Sequence, residues 1–369
     1  MNIVMVAGEV SGDLLGGKLA QELFNTNKAI SISGIGGECM RNANVNTLHD
    51  VNETSVVGVV EVLKHYPRLR RILSNIKQHI HKLRPELLIL IDYPEFNLKL
   101  AKYAKSLNIK VLYYVSPQVW AWRTGRVKKI KAYIDLMAVL FPFEVEFYKR
   151  ANIPVCLVRH PLLEDIDKYY QEQTKQDDTL TIGLAPGSRT NEIKKLFPVM
   201  IEAAHQLTMF QQNIRIIVPV APGVDISTLK KYNKYNLPIE YLTDNFYLTI
   251  KACDVIAISS GTATLQTALM GKAMVVIYKI SPLTHKLLGH MIKVKHICLA
   301  NIILDRRAYV ELVQKEANAE NLFNALKATT ADENIVLKMK SNRDMIYKKL
   351  NSGINSKDLA EKAIRLASQ

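Results

Sequence analysis

Short runs rich in β-branched residues alternate with longer amphipathic stretches, and this alternation constrains the fold more than any other feature of the chain. The apolar runs are strand-sized, as in LLILI at 87–91 and LMAVLF at 136–141. Strands separated by helical stretches are typical of parallel sheets with crossover helices, so we predict an α/β fold. The strands are predicted at 2–7, 30–34, 87–92, 110–115, 136–140, 155–158, 180–185, 214–218, 239–242, 254–258, 274–278 and 297–299.

A change of composition divides the alternation into two halves. The segment 161–180 is polar and locally acidic, and a new strand–turn–helix series follows it. The length of 369 residues suits two domains, since a domain usually has roughly 100–200 residues. We predict two doubly wound, Rossmann-like domains over 1–165 and 178–345, facing each other across a cleft, and a helical tail over 346–369. Ligands of such sheets bind beyond the carboxyl ends of the strands.

The chain is basic, with 49 Lys and Arg against 34 Asp and Glu and a net charge of +15. This excess favours an anionic partner, which could be a nucleic acid, a phosphorylated substrate or an acidic membrane surface. The apolar runs fall short of the roughly 18–20 residues that span a bilayer, and the N-terminus does not resemble a signal peptide. The four cysteines are widely separated, so we predict a cytoplasmic protein without a metal site.

The first strand runs into VAGEVSGD at 6–13. Ser11 or Asp13 could cap a helix beginning near Leu14, which would make this an ordinary capped turn. Alternatively, Glu9 and Ser11 point into the cleft and contact a ligand.

The third strand, LLILI, ends in Asp92 and continues into a proline turn. A carboxylate at the end of a central strand is costly to bury unless it is paired or catalytic. An aspartate that merely caps the turn is the alternative.

Both tryptophans follow the next strand, in a stretch that is otherwise basic. Trp120 and Trp122 stand beside Arg123 and Arg126. Such residues could stack on nucleic acid bases or anchor the chain at phospholipid headgroups. A solvated basic helix would explain the cations but not two tryptophans so close together.

In the second half, two strand ends are suited to phosphate. The segment GLAPGSRTNEI contains a turn at Gly187, a candidate helix cap at Ser188 and a neighbouring cation at Arg189. A second strand runs into SSGTAT, before the helix that carries Gln266. Helix N-termini with an adjacent arginine bind anions. The SSGTAT loop is not a Walker A loop. Two helix N-termini facing one cleft are suited to a diphosphate held without a metal, and we predict no other cofactor.

These motifs occur together in one order. The segments that carry the resemblance are AGEVSGD, VVGVVEVL, IDYPEFN, YVSPQVWAWR, LFPFE, HPL at 160–162, PGSR, SGTATLQTAL and LANIIL. From about residue 3 to 314 they resemble the lipid-A-disaccharide synthases, a family of inverting glycosyltransferases with the GT-B fold. The resemblance implies that UDP-2,3-diacylglucosamine and 2,3-diacylglucosamine 1-phosphate react to give the β-1,6-linked disaccharide 1-phosphate and UDP, in the lipid A biosynthesis of Gram-negative bacteria.

The resemblance also implies residue roles. Asp92 is the candidate base, and Arg189 the candidate stabiliser of charge on the departing diphosphate. The acceptor is expected to contact Glu9, Ser11 and Asn97 in the N-terminal domain. The UDP-sugar is expected to contact Gly187, Ser188, Arg189, Gly261, Thr262, Ala263, Gln266, Tyr278 and Asn301 in the C-terminal domain.

The lipid substrates place the chain at a membrane. We expect it to be peripheral on the inner face of the inner membrane, with Trp120, Trp122, Arg123 and Arg126 facing the anionic lipid. The resemblance also gives a homodimer as one option for assembly.

The sequence departs from the family at four positions. Relatives usually have Glu at Gln266, Gly at Arg159, Pro at Ala300 and Glu at Arg307. Loss of the carboxylate at Gln266 would cost about 1–2 kcal/mol in UDP affinity. A specialised paralogue with weak or no catalysis, which binds UDP-sugar or lipid, is therefore an alternative.

Two further alternatives concern other functions. Another UDP-sugar transferase or an epimerase of the same fold is the nearer one, since a fold does not fix a function, and the SPQVWAWR segment argues against it. A nucleic-acid-binding protein would account for the charge but would leave Asp92 and the two phosphate-type loops unexplained.

Overall fold

The structure, a computed structural model, describes residues 1–54, 59–117, 126–170, 179–243, 245–279 and 295–369, and only the backbone over 59–65. The chain divides into two compact units. The first contains Met1–Pro161 together with Leu350–Gln369, and the second contains Leu162–Lys349.

The first unit is a seven-stranded sheet flanked by helices. Its strands pair in parallel in the order β3-β2-β1-β4-β5-β6-β7. The central strand β4 is buried along its whole length, as a strand covered by helices on both faces must be. The elements are β1 Asn2–Ala7, α1 Val10–Thr26, β2 Ser31–Gly36, α2 Glu38–Asn42, β3 Asn46–Asp50, α3 Val51–Thr54, α4 Val59–Leu83, β4 Leu87–Ile91, α5 Pro94–Ser106, β5 Lys110–Tyr114, α6 Arg126–Tyr133, β6 Leu136–Val139, α7 Pro142–Arg150 and β7 Val155–Leu157.

The second unit repeats this architecture with six strands, again all parallel, in the order β10-β9-β8-β11-β12-β13. Its elements are α8 Leu162–Tyr169, β8 Leu180–Ala185, α9 Thr190–Phe210, β9 Ile214–Pro219, α10 Ile226–Lys230, β10 Ile239–Leu242, α11 Phe246–Ala252, β11 Val255–Ser259, α12 Thr262–Leu269, β12 Ala273–Tyr278, α13 Leu299–Leu304, β13 Val310–Val313, α14 Ala319–Thr330 and α15 Ile335–Asn351. Two Rossmann-like sheets therefore confirm the predicted α/β fold class.

In each sheet the order of the strands reverses next to the strand that comes first in the chain. In the first unit β1 lies between β2 and β4, and in the second β8 lies between β9 and β11. The carboxyl ends of these strand pairs are topological switch points, where ligands bind in doubly wound sheets. The motifs AGEVSGD and IDYPEFN follow β1 and β4, whereas PGSR and SSGTAT follow β8 and β11.

Eleven of the twelve predicted strands are present, and the prediction at 297–299 is wrong. Leu299 instead begins the helix α13, with Cys298 as the preceding cap residue. A short apolar run does not distinguish a buried strand from a buried helix. Two strands that the pattern did not predict are β3 and β13.

The end of the chain returns to the first unit. The helix α16, Ser356–Ala367, buries apolar residues in the same core as α1. Just before it, Ile354 forms a parallel bridge with Val158 at the edge of the sheet. Gly353 leaves no space for a side chain there, because an added Cβ would lie 2.4 Å from the carbonyl carbon of Val158.

Candidate active site

The strand ends of the first unit bring two carboxylates together. The neighbouring strands β1 and β4 pair Ala7 with Ile91, and the chains that leave them carry Glu9 and Asp92. The Glu9 side chain is exposed and Asp92 is half-buried. The negative charge of Glu9 therefore acts on Asp92.

The backbone at Asp92 is held in an unusual conformation. Asp92 and Tyr93 have φ angles of 48° and 50°, which are uncommon for residues other than glycine. The Asp92 carbonyl accepts hydrogen bonds from the Tyr113 hydroxyl at 2.5 Å and from Asn97 Nδ2 at 2.7 Å. The Asp92 amide donates to the Tyr114 carbonyl. These three bonds fix the direction in which the carboxylate leaves the sheet.

The surroundings of Asp92 favour its protonated form. Burial, followed by the negative charge of Glu9, raises the pKa of the Asp92 carboxyl from 3.8 to about 6, and a hydrogen bond from the Tyr93 amide partly opposes this shift. A carboxyl with a pKa near neutrality is suited to accept a proton from a hydroxyl group during a reaction.

Close packing positions the turn that carries Asp92. The Tyr93 ring lies against Gly8, where a Cβ would be 2.2 Å from the ring. The Tyr93 hydroxyl donates to the Thr54 carbonyl, and the Thr54 hydroxyl donates to the Gly8 carbonyl. The loops that follow β1 and β4 are thus joined through Thr54.

The predicted helix cap in AGEVSGD is wrong. The helix α1 begins at Val10, with Glu9 as its N-cap residue, and no side chain of the described residues caps it. Asp13 is buried within α1, and its carboxylate accepts bonds from the backbone amides of Gly37, Cys39 and Met40. It therefore caps α2, the helix that follows the neighbouring strand. Ser11 is exposed beside Glu9.

Two other predicted residues of this unit have partners within the protein. Asn97 is 0% exposed, and its side-chain amide donates to the carbonyls of Ile91 and Asp92, so it supports the turn from below. Arg126 forms an ion pair with Glu95. Trp120, Trp122 and Arg123 lie outside the described residues.

The PGSR turn opens the first anion-type loop of the second unit. Gly187 has a φ of +105°, a backbone conformation that strains any other residue type. The helix α9 begins at Thr190, and Arg189 is its N-cap residue, without a capping side chain. Ser188 is exposed, and its predicted capping role is therefore wrong. The Glu192 amide in the first turn of α9 donates to the Arg189 carbonyl, and no side chain of the described residues accepts from the amides before it.

Arg189 is the most exposed charged group at this loop. Its side chain is 70% exposed and pairs with Glu192 at 3.2 Å. Tyr278, at the end of β12, lies close to the same pair. Burial, followed by the charge of Glu192, raises the pKa of the Tyr278 hydroxyl, and Arg189 lowers it. Tyr278 and Arg189 are therefore close enough to interact electrostatically.

The SSGTAT turn opens the second loop. Gly261 is the N-cap residue of α12, and no described side chain caps this helix either. Gly261 and Thr262 are exposed, Ala263 is half-buried, and a Cβ at Gly261 would meet no atom of the described residues within 4 Å.

The half-buried Gln266 takes part in a polar chain. Its side chain hydrogen-bonds to the Tyr247 hydroxyl, which also lies 3.4 Å from the carboxylate of Asp165. Burial is the main cause that raises the pKa of Tyr247 to about 12. The position at which relatives usually have Glu is thus linked, through Tyr247, to a carboxylate from α8.

Asn301 lies beneath the site. It is 0% exposed, and its side chain uses four hydrogen bonds, to the amides of Ala308 and Tyr309, the Tyr309 carbonyl and the Glu311 carboxylate. Sequence reasoning missed Glu311, which also accepts from the amides of Ile297 and Cys298 at the start of α13. A single acidic residue at a strand gave no signal for this role.

The other departures from the family pattern have structural partners. The Arg159 guanidinium donates to Asn351 Oδ1 at 2.7 Å, and the Arg159 amide donates to the Ile354 carbonyl. Arg307 donates to the Glu311 carbonyl, and Ala300 is buried. All three therefore contribute to local structure.

Searches of the described residues gave two negative results. No group of three or more His, Cys, Asp or Glu in the described ranges could hold a metal ion. Within the same ranges, no helix has the length and apolarity needed to cross a membrane.

Comparison with solved structures defines the class of the fold. The UDP-GlcNAc 2-epimerase of Neisseria meningitidis, solved with UDP-GlcNAc, matches 99% of this chain and all of its own with a TM-score of 0.64 at 12% identity. A glycosyltransferase of Siraitia grosvenorii in complex with UDP covers both chains fully, with a TM-score of 0.61 at 11% identity. MurG of Acinetobacter baumannii covers 99% of both chains, with a TM-score of 0.57 at 14% identity. The chain has the GT-B fold of glycosyltransferases.

Sequence similarity is more specific. The family model described as lipid-A-disaccharide synthetase matches residues 3–364. The lipid-A-disaccharide synthase of Geobacter sulfurreducens is 43% identical over 360 residues, which cover 95% of this chain and 93% of that protein. The enzyme of Coxiella burnetii is 36% identical and covers 92% of both chains. This chain belongs to the lipid-A-disaccharide synthase family, the glycosyltransferases of lipid A biosynthesis.

Proposed function

We propose that the chain transfers 2,3-diacylglucosamine from its UDP derivative to the 6-hydroxyl of 2,3-diacylglucosamine 1-phosphate, with inversion at the anomeric carbon. The products are the β-1,6-linked disaccharide 1-phosphate and UDP. The observation that carries this proposal is the half-buried Asp92 carboxyl at a switch point, beside Glu9 and with a pKa of about 6.

In this proposal Asp92 is the general base. The 6-hydroxyl loses its proton to the carboxylate while its oxygen forms the new bond to the anomeric carbon, and the bond from that carbon to the UDP oxygen breaks. The base must hold its position as the hydroxyl approaches, and the bonds from Tyr113 and Asn97 to the Asp92 carbonyl serve this purpose. Glu9 and Ser11 are exposed beside it and would contact the acceptor sugar, whereas Asn97 acts as a positioning residue.

The second unit is proposed to hold the nucleotide. Negative charge accumulates on the departing diphosphate, and Arg189 with the uncapped amides at α9 and α12 would stabilise it. Gly187, Ser188, Gly261, Thr262 and Ala263 would form the walls of this anion site, Gln266 would contact the ribose, and Tyr278 would flank the same group. Asn301 would support the site from below.

We also propose a peripheral position on the inner face of the inner membrane. Both lipid substrates would be presented there, and the net charge of +15 favours an anionic surface. Besides Arg126 and the segment with Trp120, Trp122 and Arg123, the helix α4 exposes Tyr66, Arg70 and Arg71. Release from anionic vesicles as salt rises is the expected result, and retention that does not change with salt would contradict this position. A homodimer stays a proposal that sedimentation would test.

The reaction is tested by incubating the purified chain with both substrates and following UDP and disaccharide by mass spectrometry. Wild type is expected to form both products, and Asp92→Asn neither. The matched control is Asp332→Asn, which changes an aspartate paired with Lys338 on the surface. Gln266→Glu is expected to raise UDP affinity about tenfold. UDP without disaccharide would indicate hydrolysis or a different acceptor. If no variant forms either product, the proposed reaction is wrong and the chain is a paralogue that binds UDP-sugar or lipid without catalysis.

A further inference from the structure

The solvent face of α1 changes character along its length. Val10 is 63% exposed and Leu14 is 46% exposed, one helical turn apart on the same face. Further along, the same side of the helix carries Lys18, Gln21 and Asn25. The exposed apolar side chains are therefore confined to the end of α1 that adjoins Glu9.

Val10 and Leu14 take no part in the packing of α1 against the core of the first unit. The core side of α1 contributes Leu15, Leu19 and Leu23 to the hydrophobic core, whereas Val10 and Leu14 point away from it. Single exposed apolar residues are common on protein surfaces, whereas Val10 and Leu14 adjoin each other beside a proposed site, which is where ligand-contacting apolar surface is found. Both neighbours of Val10 along the chain, Glu9 and Ser11, belong to the proposed acceptor site.

We infer that Val10 and Leu14 form a contact surface for a fatty acyl chain of the acceptor lipid. This inference rests on the proposed function, in which Asp92 receives the proton of the acceptor hydroxyl. An acceptor whose sugar lies at Glu9 and Asp92 would carry its acyl chains beside the first turn of α1, since Glu9 is the N-cap residue of that helix. The chain would cover apolar surface that otherwise contacts water, and the gain grows with each methylene group buried.

The test compares acceptors of different chain length. Val10→Thr keeps the shape of the side chain and Leu14→Gln keeps its length, and surface changes of this kind usually leave folding intact. Leu337→Gln is the matched control, since Leu337 is an exposed leucine on the helix α15 of the other unit. For each protein, kcat/KM is measured with long-chain and short-chain acceptors, and separately with long-chain and short-chain UDP donors.

The double variant Val10→Thr/Leu14→Gln is expected to lower kcat/KM for the long-chain acceptor about tenfold. Its values for the short-chain acceptor and for both donors should equal those of wild type and of Leu337→Gln. An unchanged preference for the long-chain acceptor would overturn the inference, as would a loss that follows the donor chain.

A binding measurement separates this inference from the proposed reaction. The affinities of wild type and the double variant for the two acceptors are measured by calorimetry without donor, so that no turnover is needed. If wild type forms no disaccharide but binds the long-chain acceptor more tightly and the variant loses this difference, the reaction fails and the acyl surface stands. If wild type binds both acceptors equally, the acyl surface is wrong whatever the reaction shows.

Discussion

The hydroxyl of Tyr113 donates a 2.5 Å hydrogen bond to the backbone carbonyl of Asp92. Tyr113 is fully buried in β5, and burial raises the pKa of its hydroxyl well above 10, so the hydroxyl remains a donor throughout the usable pH range. A neighbouring strand therefore supports the left-handed turn on which the candidate base stands.

Tyr113→Phe removes this donor and leaves the Asp92 carbonyl with Asn97 as its remaining described side-chain partner. We expect the free energy of unfolding to fall by about 1–2 kcal/mol and kcat to fall several-fold, while UDP affinity stays unchanged. Urea unfolding and initial rates measure the two effects. Tyr103→Phe is the control, because its hydroxyl bonds to His81 near the surface. Equal unfolding midpoints for both variants would show that the bond is unimportant.

The pH dependence of activity should report the ionisation of Asp92. Because the base must be ionised, kcat/KM is expected to rise with pH up to about 6 and to level off above it. Glu9→Gln removes a charge that raises this pKa, so the acid limb should shift to lower pH. Glu38→Gln, which changes an exposed glutamate of the same unit, should leave the limb in place. If Glu9→Gln leaves the acid limb of the pH profile in place, the limb reports the ionisation of a group other than Asp92.

The raised pKa of Asp92 also predicts a gain in stability when the charge is removed. The folded state binds a proton more tightly than the unfolded state, so wild type loses stability as pH rises from about 4 to 6. At pH 8 the free energy of unfolding of Asp92→Asn should therefore exceed that of wild type by about 1–3 kcal/mol, and its unfolding temperature should be higher. At pH 3.5 the two proteins should be equally stable. Asp135→Asn should instead destabilise, since Asp135 pairs with Lys105 and accepts from the Val111 amide. A destabilised Asp92→Asn at pH 8 would refute the electrostatic interpretation.

Arg189→Gln tests the anion site of the second unit. Loss of a charge-assisted hydrogen bond to phosphate should weaken UDP binding about tenfold and make it less sensitive to salt, while uridine, which lacks the diphosphate, should bind as before. Calorimetry with both ligands measures this. Arg215→Gln, which breaks an ion pair with Glu240 in the same unit, is the control. An equal loss for uridine would show that Arg189 supports the loop rather than the diphosphate.

The buried strands could be predicted from sequence, because a buried parallel strand is a continuous apolar run. The polar motifs at the carboxyl ends of these strands could be predicted as well, because they are the residues that follow each run. Asp92 directly follows β4, and Arg189 follows β8 after a short turn. The pattern does not predict the edge strand β3 because its residues are exposed or half-buried, and it does not predict β13 because that four-residue strand is interrupted by Glu311.

Partners distant in sequence could not be predicted. Asp13 is positioned to cap its own helix by spacing alone, yet it caps α2, whose amides are 24 or more residues away. Asn97 and Asn301 occupy motif positions that suit a ligand contact, but the fold buries both and uses their amides to hold backbone. A sequence records the residue type and not the direction of its side chain.

The return of the C-terminal segment to the first unit has a consequence for biosynthesis. The core of that unit includes Leu359, Ala363 and Leu366, and the edge strand β7 is extended by Ile354. On the ribosome the core of the first unit therefore stays incomplete until nearly the whole chain has been translated. The residues of the second unit are all synthesised before that. During this interval we expect the nascent first unit to expose the apolar residues of α1 that share a core with α16 in the folded protein, and to depend on chaperones.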